Sequence, residues 1–77
     1  MSISSAQVRA ARLLLKWSRL RLAGEAGVSE TAISAFEEGK KRPPLQIVSA
    51  LQGALASAGV EFLVEHGGRG VRLRKAP

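Results

Sequence analysis

The chain has 77 residues, 45% of them hydrophobic, and a formal net charge of +6. That is enough for one small domain (residues 1–77), which buries only about 60–65% of its unfolded surface. It has no Cys, Tyr, Asp or Asn, and His66 is its single His; this excludes disulfides, thiolate metal sites, a Cys–His pair and a Ser-His-Asp set. An enzyme is not expected, with no catalytic residue, no metal and no cofactor, whereas the charge favours a polyanionic partner over solubility alone.

Three helix starts share one grammar: an apolar residue, a Ser, then a second apolar residue in the first turn. They are Ile3–Ser4…Val8, Trp17–Ser18…Leu22 and Val28–Ser29…Ile33. Each Ser can cap a free backbone N–H, and the apolar pair can close a staple over it. Ser4 also has Gln7 three positions on, which completes a capping box. The first helix is predicted over residues 5–15, with Val8, Ala11, Leu14 and Leu15 inward. The second covers 19–26, with Leu22, Ala23 and Ala26 inward; Gly24 weakens it by about 1 kcal/mol relative to Ala. The third covers 30–38, with Ile33 and Phe36 inward and Gly39 as its stop.

The basic loop "KKRPP" follows, and Pro44 suits the first position of a fourth helix reaching residue 58. Leu45, Val48, Leu51 and Leu55, with Ile47 alongside, form its expected buried face. The tail (60–75) changes period. Its β-rich runs predict a hairpin, 61–65 paired with 71–74, around "GGR". A lone hairpin is marginal in water, so it must pack on the helices or pair its edge with a second chain.

Helices two and three, joined at Gly27, form a helix-turn-helix within about residues 18–38. Ala23 is small enough to let the helices cross closely, and Val28 and Ile33 plug their interface. The start and one face of the third helix are left able to enter a major groove about 12 Å wide.

The segment "WSRLRLAGEAGVSETAISAFEEGKKRP" resembles the helix-turn-helix of the XRE family, also called the Cro/C1-type repressor fold. The matching positions are Ser18, Leu22, Ala23, Ala26, Gly27, Val28, Ser29, Ile33, Ser34, Glu37, Gly39, Arg42 and Pro43. The resemblance covers about residues 4–58. It implies a mainly α fold, a four-helix lambda-repressor-like DNA-binding domain, here with a C-terminal β-hairpin. It also implies a buried ion pair between Arg12 and Glu37; contact of Arg12 with phosphate is the alternative. Two positions depart from the family pattern. Arg19 replaces a Gln that commonly contacts phosphate, a role Arg can fill with full charge, though it could be a solvated surface residue. Lys16 stands where a Gly commonly ends the first helix, so it sits in a strained turn or the helix ends differently.

Helical spacing exposes Glu30, Thr31, Ser34 and Ala35 as the reading face. Glu30 complements the helix dipole and can also accept from a cytosine N4 amine. Thr31 and Ser34 can bond a base edge or a phosphate, and Ala35 offers a methyl. No Arg or Lys on this face reaches for guanine, so affinity is expected from the flanks: Lys16, Arg19, Lys40, Lys41 and Arg42, with Ser18 and Ser29 at the helix starts. Each phosphate neutralised steepens the salt dependence by about 0.9. Trp17 reads as a core or staple residue and His66 as a turn residue. Arg69, Arg72, Arg74 and Lys75 are either a second phosphate contact or the solvent face of a strand.

The expected function is a sequence-specific transcriptional regulator of double-stranded DNA, a repressor acting as a homodimer on palindromic half-sites. Phe62, Val64, Val71 and Leu73 are the candidate dimer surface. An antitoxin that uses the tail to hold a toxin, or a protein-interaction module on the same fold, are the alternatives. RNA binding is disfavoured because the chain lacks an aromatic sheet surface for stacking bases. No apolar run approaches the ~18 residues of a membrane helix, and no signal peptide opens the chain, so a cytoplasmic, nucleoid-associated location without membrane contact is expected.

Overall fold

The computed structural model describes residues 3–65 and 68–74. Among them, helices α1 (Ser5–Leu14), α2 (Arg19–Ala26), α3 (Glu30–Glu37) and α4 (Leu45–Ser57) precede strands β1 (Val60–Glu65) and β2 (Gly68–Leu73). The fold is mainly α with a two-stranded antiparallel hairpin, as the sequence predicts. The readings of His66 and Lys75 lie outside the described residues.

The serine grammar explains the first three helices. The Ser4 hydroxyl accepts from the Gln7 N–H at 3.1 Å, and Gln7 Oε1 accepts from the Ser4 N–H at 2.9 Å, closing the capping box. Ser18 accepts from the Arg21 N–H at 2.9 Å and Ser29 from the Ala32 N–H at 3.1 Å. Each such cap contributes about 1 kcal/mol. The staple residues all join the core: Ile3, Val8, Leu22 and Ile33 are buried, and Trp17 and Val28 pack against them half-buried.

Two turns set the angles between helices. Gly27 has φ +70°, and the Ala23 carbonyl accepts from both Gly27 (2.9 Å) and Val28 (3.1 Å). A side chain is strained in that left-handed region, and glycine is not. At the end of α1 the same role falls to Lys16, with φ +59°. The helix therefore ends at Leu14, and the left-handed turn sits on a residue with a Cβ, which costs about 1–2 kcal/mol.

Four details differ from the sequence reading. Leu14 is 42% exposed, because the buried face of α1 runs through Gln7, Val8, Ala11 and Arg12 and leaves Leu14 off it. Pro44 is the N-cap of α4 rather than its first residue; its extended backbone presents the carbonyl to Ile47 (2.9 Å) and Val48 (3.2 Å). Leu45 continues the stripe of Val48, Leu51 and Leu55 by spacing, yet at the open end of α4 it is 71% exposed. The hairpin ladder starts earlier on both strands: Val60 pairs with Leu73, and Gly68, expected in the turn, pairs with Glu65.

Within the hairpin, Val60 is buried, and Phe62 and its cross-strand partner Val71 pack half-buried against the helices. Gln7 then ties α1 to both strands. Its Nε2 donates to the carbonyls of Leu63 (3.2 Å) and Gly70 (3.0 Å), which are ladder partners. The amide is only 2% exposed, so these bonds satisfy a donor that water cannot reach.

Candidate nucleic-acid interface

The base of the helix-turn-helix is an ion cluster. The Glu37 side chain is fully buried and accepts a fork from Arg12, Nε to Oε2 and Nη2 to Oε1, both at 2.9 Å. The remaining Arg12 nitrogen, Nη1, donates to the Trp17 carbonyl at 2.9 Å. This pins the end of α3 to α1 and to the start of α2. The Arg12 side chain is 11% exposed, and all its nitrogens are engaged within the protein. A phosphate contact would require breaking that fork.

Arg19 joins the same cluster. Its Nε donates to Glu37 Oε1 at 3.2 Å, and its Nη1 donates to Glu38 Oε2 at 3.2 Å and to the Ser34 hydroxyl at 3.3 Å. The hydrogen bond to Glu37 raises the Arg19 guanidinium above its ordinary value. Glu38 in turn contacts Lys40 Nζ at 3.1 Å. Lys40 and then Arg19 hold the Glu38 carboxyl below its ordinary value. Two of the expected phosphate ligands are thus engaged by acids at the end of α3.

The reading face is narrower than helical spacing suggests. Glu30 and Thr31 are exposed at the start of α3, but Ser34 and Ala35 are half-buried. Ser34 is covered because the Arg19 side chain crosses from α2 to reach it. Ala35 lies in an open, mostly apolar groove of about 300 Å³ between α3 and the start of α4, lined in part by Thr31, Lys41, Pro44 and Ile47. The hydroxyls of Ser18 and Ser29 are used as acceptors by their caps, which leaves the O–H of each able to donate outward from an exposed helix start. Helix starts also favour anions through their free N–H groups and dipole.

The flanking cations divide by chemistry. Lys16 and Lys41 are exposed and form no ion pair with a described residue. Arg42 has a structural role that its place in a basic run did not reveal. Its Nη2 donates to the Ile3 carbonyl at 3.2 Å, and its guanidinium lies 5.4 Å from the Phe36 ring centre. Trp17 carries Arg21 over its ring at 4.8 Å, and Arg21 pairs with Glu25 at 2.9 Å. In the tail, Arg72 pairs with Glu61 at 2.7 Å and Arg74 donates to the Ala56 carbonyl at 2.6 Å, while Arg69 is exposed. The four apolar hairpin residues also split. Phe62 and Val71 are turned toward the chain's own core, so only Val64 and Leu73, 52% and 46% exposed, keep open apolar surface.

Gln7 is the residue whose reach sequence reasoning missed. Its cap role is legible from Ser4, but its bonds to the hairpin depend on a contact across most of the chain.

No helix among the described residues is long and apolar enough to cross a membrane. No curated protein matches the chain. A family model described as Helix-turn-helix matches residues 8–61, which takes in α2 and α3, most of α1 and all of α4. Domains of this kind are DNA-binding and typically non-enzymatic. The capped α2–Gly27–α3 unit, the ion cluster that locks it and this match over most of the chain place the protein in the XRE (Cro/C1-type) helix-turn-helix family of DNA-binding transcriptional regulators.

Proposed function

We propose that the protein is a repressor that binds palindromic operators as a homodimer, with α3 of each copy in the major groove. The observation that carries this reading is the exposed start of α3. Glu30 and Thr31 stand clear of the core, and Lys16, Lys41 and the Ser18 and Ser29 hydroxyls are exposed around the same motif. Glu30 reads a base edge, and Thr31 and the half-buried Ala35 add short-range contacts. The basic residues grip phosphate without regard to sequence.

So small a reading face gives few base contacts, and a second copy doubles them. Half-sites on one face of the duplex lie about 34–36 Å apart. The domain measures 30 × 29 × 19 Å, close to that spacing, so two bound copies lie side by side as near neighbours. Val64 and Leu73 are the exposed apolar residues offered for that contact.

Selection of bound duplexes from a random pool tests the proposal. A two-fold symmetric motif is expected, together with a dimer on the selected DNA by sedimentation and lowered output from a promoter carrying the site. Glu30→Ala is expected to flatten preference at one base position per half-site. An asymmetric motif bound by a monomer, or an unchanged preference in Glu30→Ala, overturns the corresponding part.

A further inference from the structure

Glu38 is an acid in an unfavourable place. It caps the C-terminal end of α3, where the helix dipole disfavours negative charge. It is exposed, so no burial explains it. Its two oxygens reach cations on different elements: Oε2 lies 3.2 Å from Arg19 Nη1 at the start of α2, and Oε1 lies 3.1 Å from Lys40 Nζ in the loop after α3. The contact with Arg19 is held from a second side, since Glu37 Oε1 accepts from Arg19 Nε. A carboxylate that bridges an Arg and a Lys through two oxygens offers the same bonds as a backbone phosphate.

We infer that Glu38 is an internal competitor for DNA phosphate, holding Arg19 and Lys40 closed until a duplex displaces it. This rests on the DNA-binding reading of the same face. A phosphate that takes the donors now facing Glu38 must break a charge-assisted bond, and one that takes the remaining N–H groups of Arg19 or Lys40 must sit beside the Glu38 carboxylate. The gain per phosphate is therefore smaller than for Lys41, which has no such partner among the described residues. The consequence is selective. An arbitrary duplex is held by phosphate contacts alone, and the competitor removes a large share of its grip. An operator adds base contacts that Glu38 does not oppose, so the competitor widens the margin between the two.

The affinity of the full chain for a random-sequence duplex, measured across 50–200 mM salt, tests this. Glu38→Gln keeps the shape of the side chain and removes its charge. It is expected to bind about tenfold more tightly at 50 mM salt, with a salt slope steeper by about 1–2, one increment for each cation released. Glu61→Gln removes the same charge from the hairpin, where it pairs with Arg72, and is expected to change affinity less than twofold. A thermal melt checks that each variant is folded. Wild-type binding matched by Glu38→Gln, or an equal gain in both variants, overturns the inference and leaves the DNA reading standing. If neither wild type nor Glu38→Gln binds duplex at 50 mM salt, the DNA reading falls and the inference falls with it.

Discussion

Truncating Glu37 to alanine is expected to remove a large part of the stability of this domain. The Glu37 carboxylate is fully buried and accepts three N–H bonds, at 2.9 and 2.9 Å from Arg12 and 3.2 Å from Arg19. Without it, Arg12 keeps only the Trp17 carbonyl, and its side chain is too enclosed, at 11% exposure, for water to replace the lost partner. Leaving one member of a buried pair uncompensated costs about 3–5 kcal/mol. A chain of this length has a total of about 4–12 kcal/mol. At about 4–8 °C per kcal/mol, the melting point falls by at least about 12 °C. Trp17 is the only Trp, and its own carbonyl touches the cluster, so urea unfolding can be followed by its fluorescence alongside circular dichroism. The double variant Arg12→Met with Glu37→Leu removes both charges and is expected to be more stable than Glu37→Ala alone, because no charge is stranded. A Glu37→Ala melt within about 4 °C of wild type would limit the pair to about 1 kcal/mol and refute this account.

Four further outcomes follow from the geometry. Lys16→Gly relieves the left-handed backbone at the end of α1 and is expected to add about 1 kcal/mol, read as a melting point higher by about 4–8 °C; an unchanged or lower melt contradicts the strain. Gln7→Leu strips the capping box and both hairpin bonds, costing about 1–3 kcal/mol. Hydrogen exchange should then speed up most at β2 and the start of α1, and a uniform change would count against the link. Lys41→Ala is expected to flatten the salt dependence of duplex binding by about 0.9 with its melt unchanged. Arg42→Ala is expected to lower the melt, because it loses the Ile3 carbonyl and the Phe36 ring.

What could be read from the chain alone was mostly local. Ser18 and Ser29 mark their helix starts because a cap involves only a few consecutive residues, and Gly27 marks the turn because only glycine takes that backbone freely. Spacing along one helix also identifies Ile33 and Phe36 as buried. The same spacing fails at Leu45, since a periodic stripe does not reveal where the neighbouring element stops. It fails again at Ser34, which is covered by a side chain from α2. Arg42 illustrates a different limit. A basic run looks alike whether its members face phosphate or, as here, a backbone carbonyl 39 residues away. The joining of Arg12 to Glu37 came from family resemblance, because no local pattern relates residues on separate helices.

The two bonds from Gln7 to the hairpin also bear on the order of folding. They span 56 and 63 positions of the chain. Closing a loop of that length costs about 3.6 kcal/mol in the length-dependent part alone, well above the cost for the adjacent α2–α3 turn. The helices can therefore assemble first, with the tail docking as a late step. Strengthening the Gln7 contacts would then mainly slow unfolding and leave the folding rate nearly unchanged. The hairpin acts as a clasp on a framework already built, and its release would free the Gln7 amide from both strands while leaving the Ser4–Gln7 cap in place.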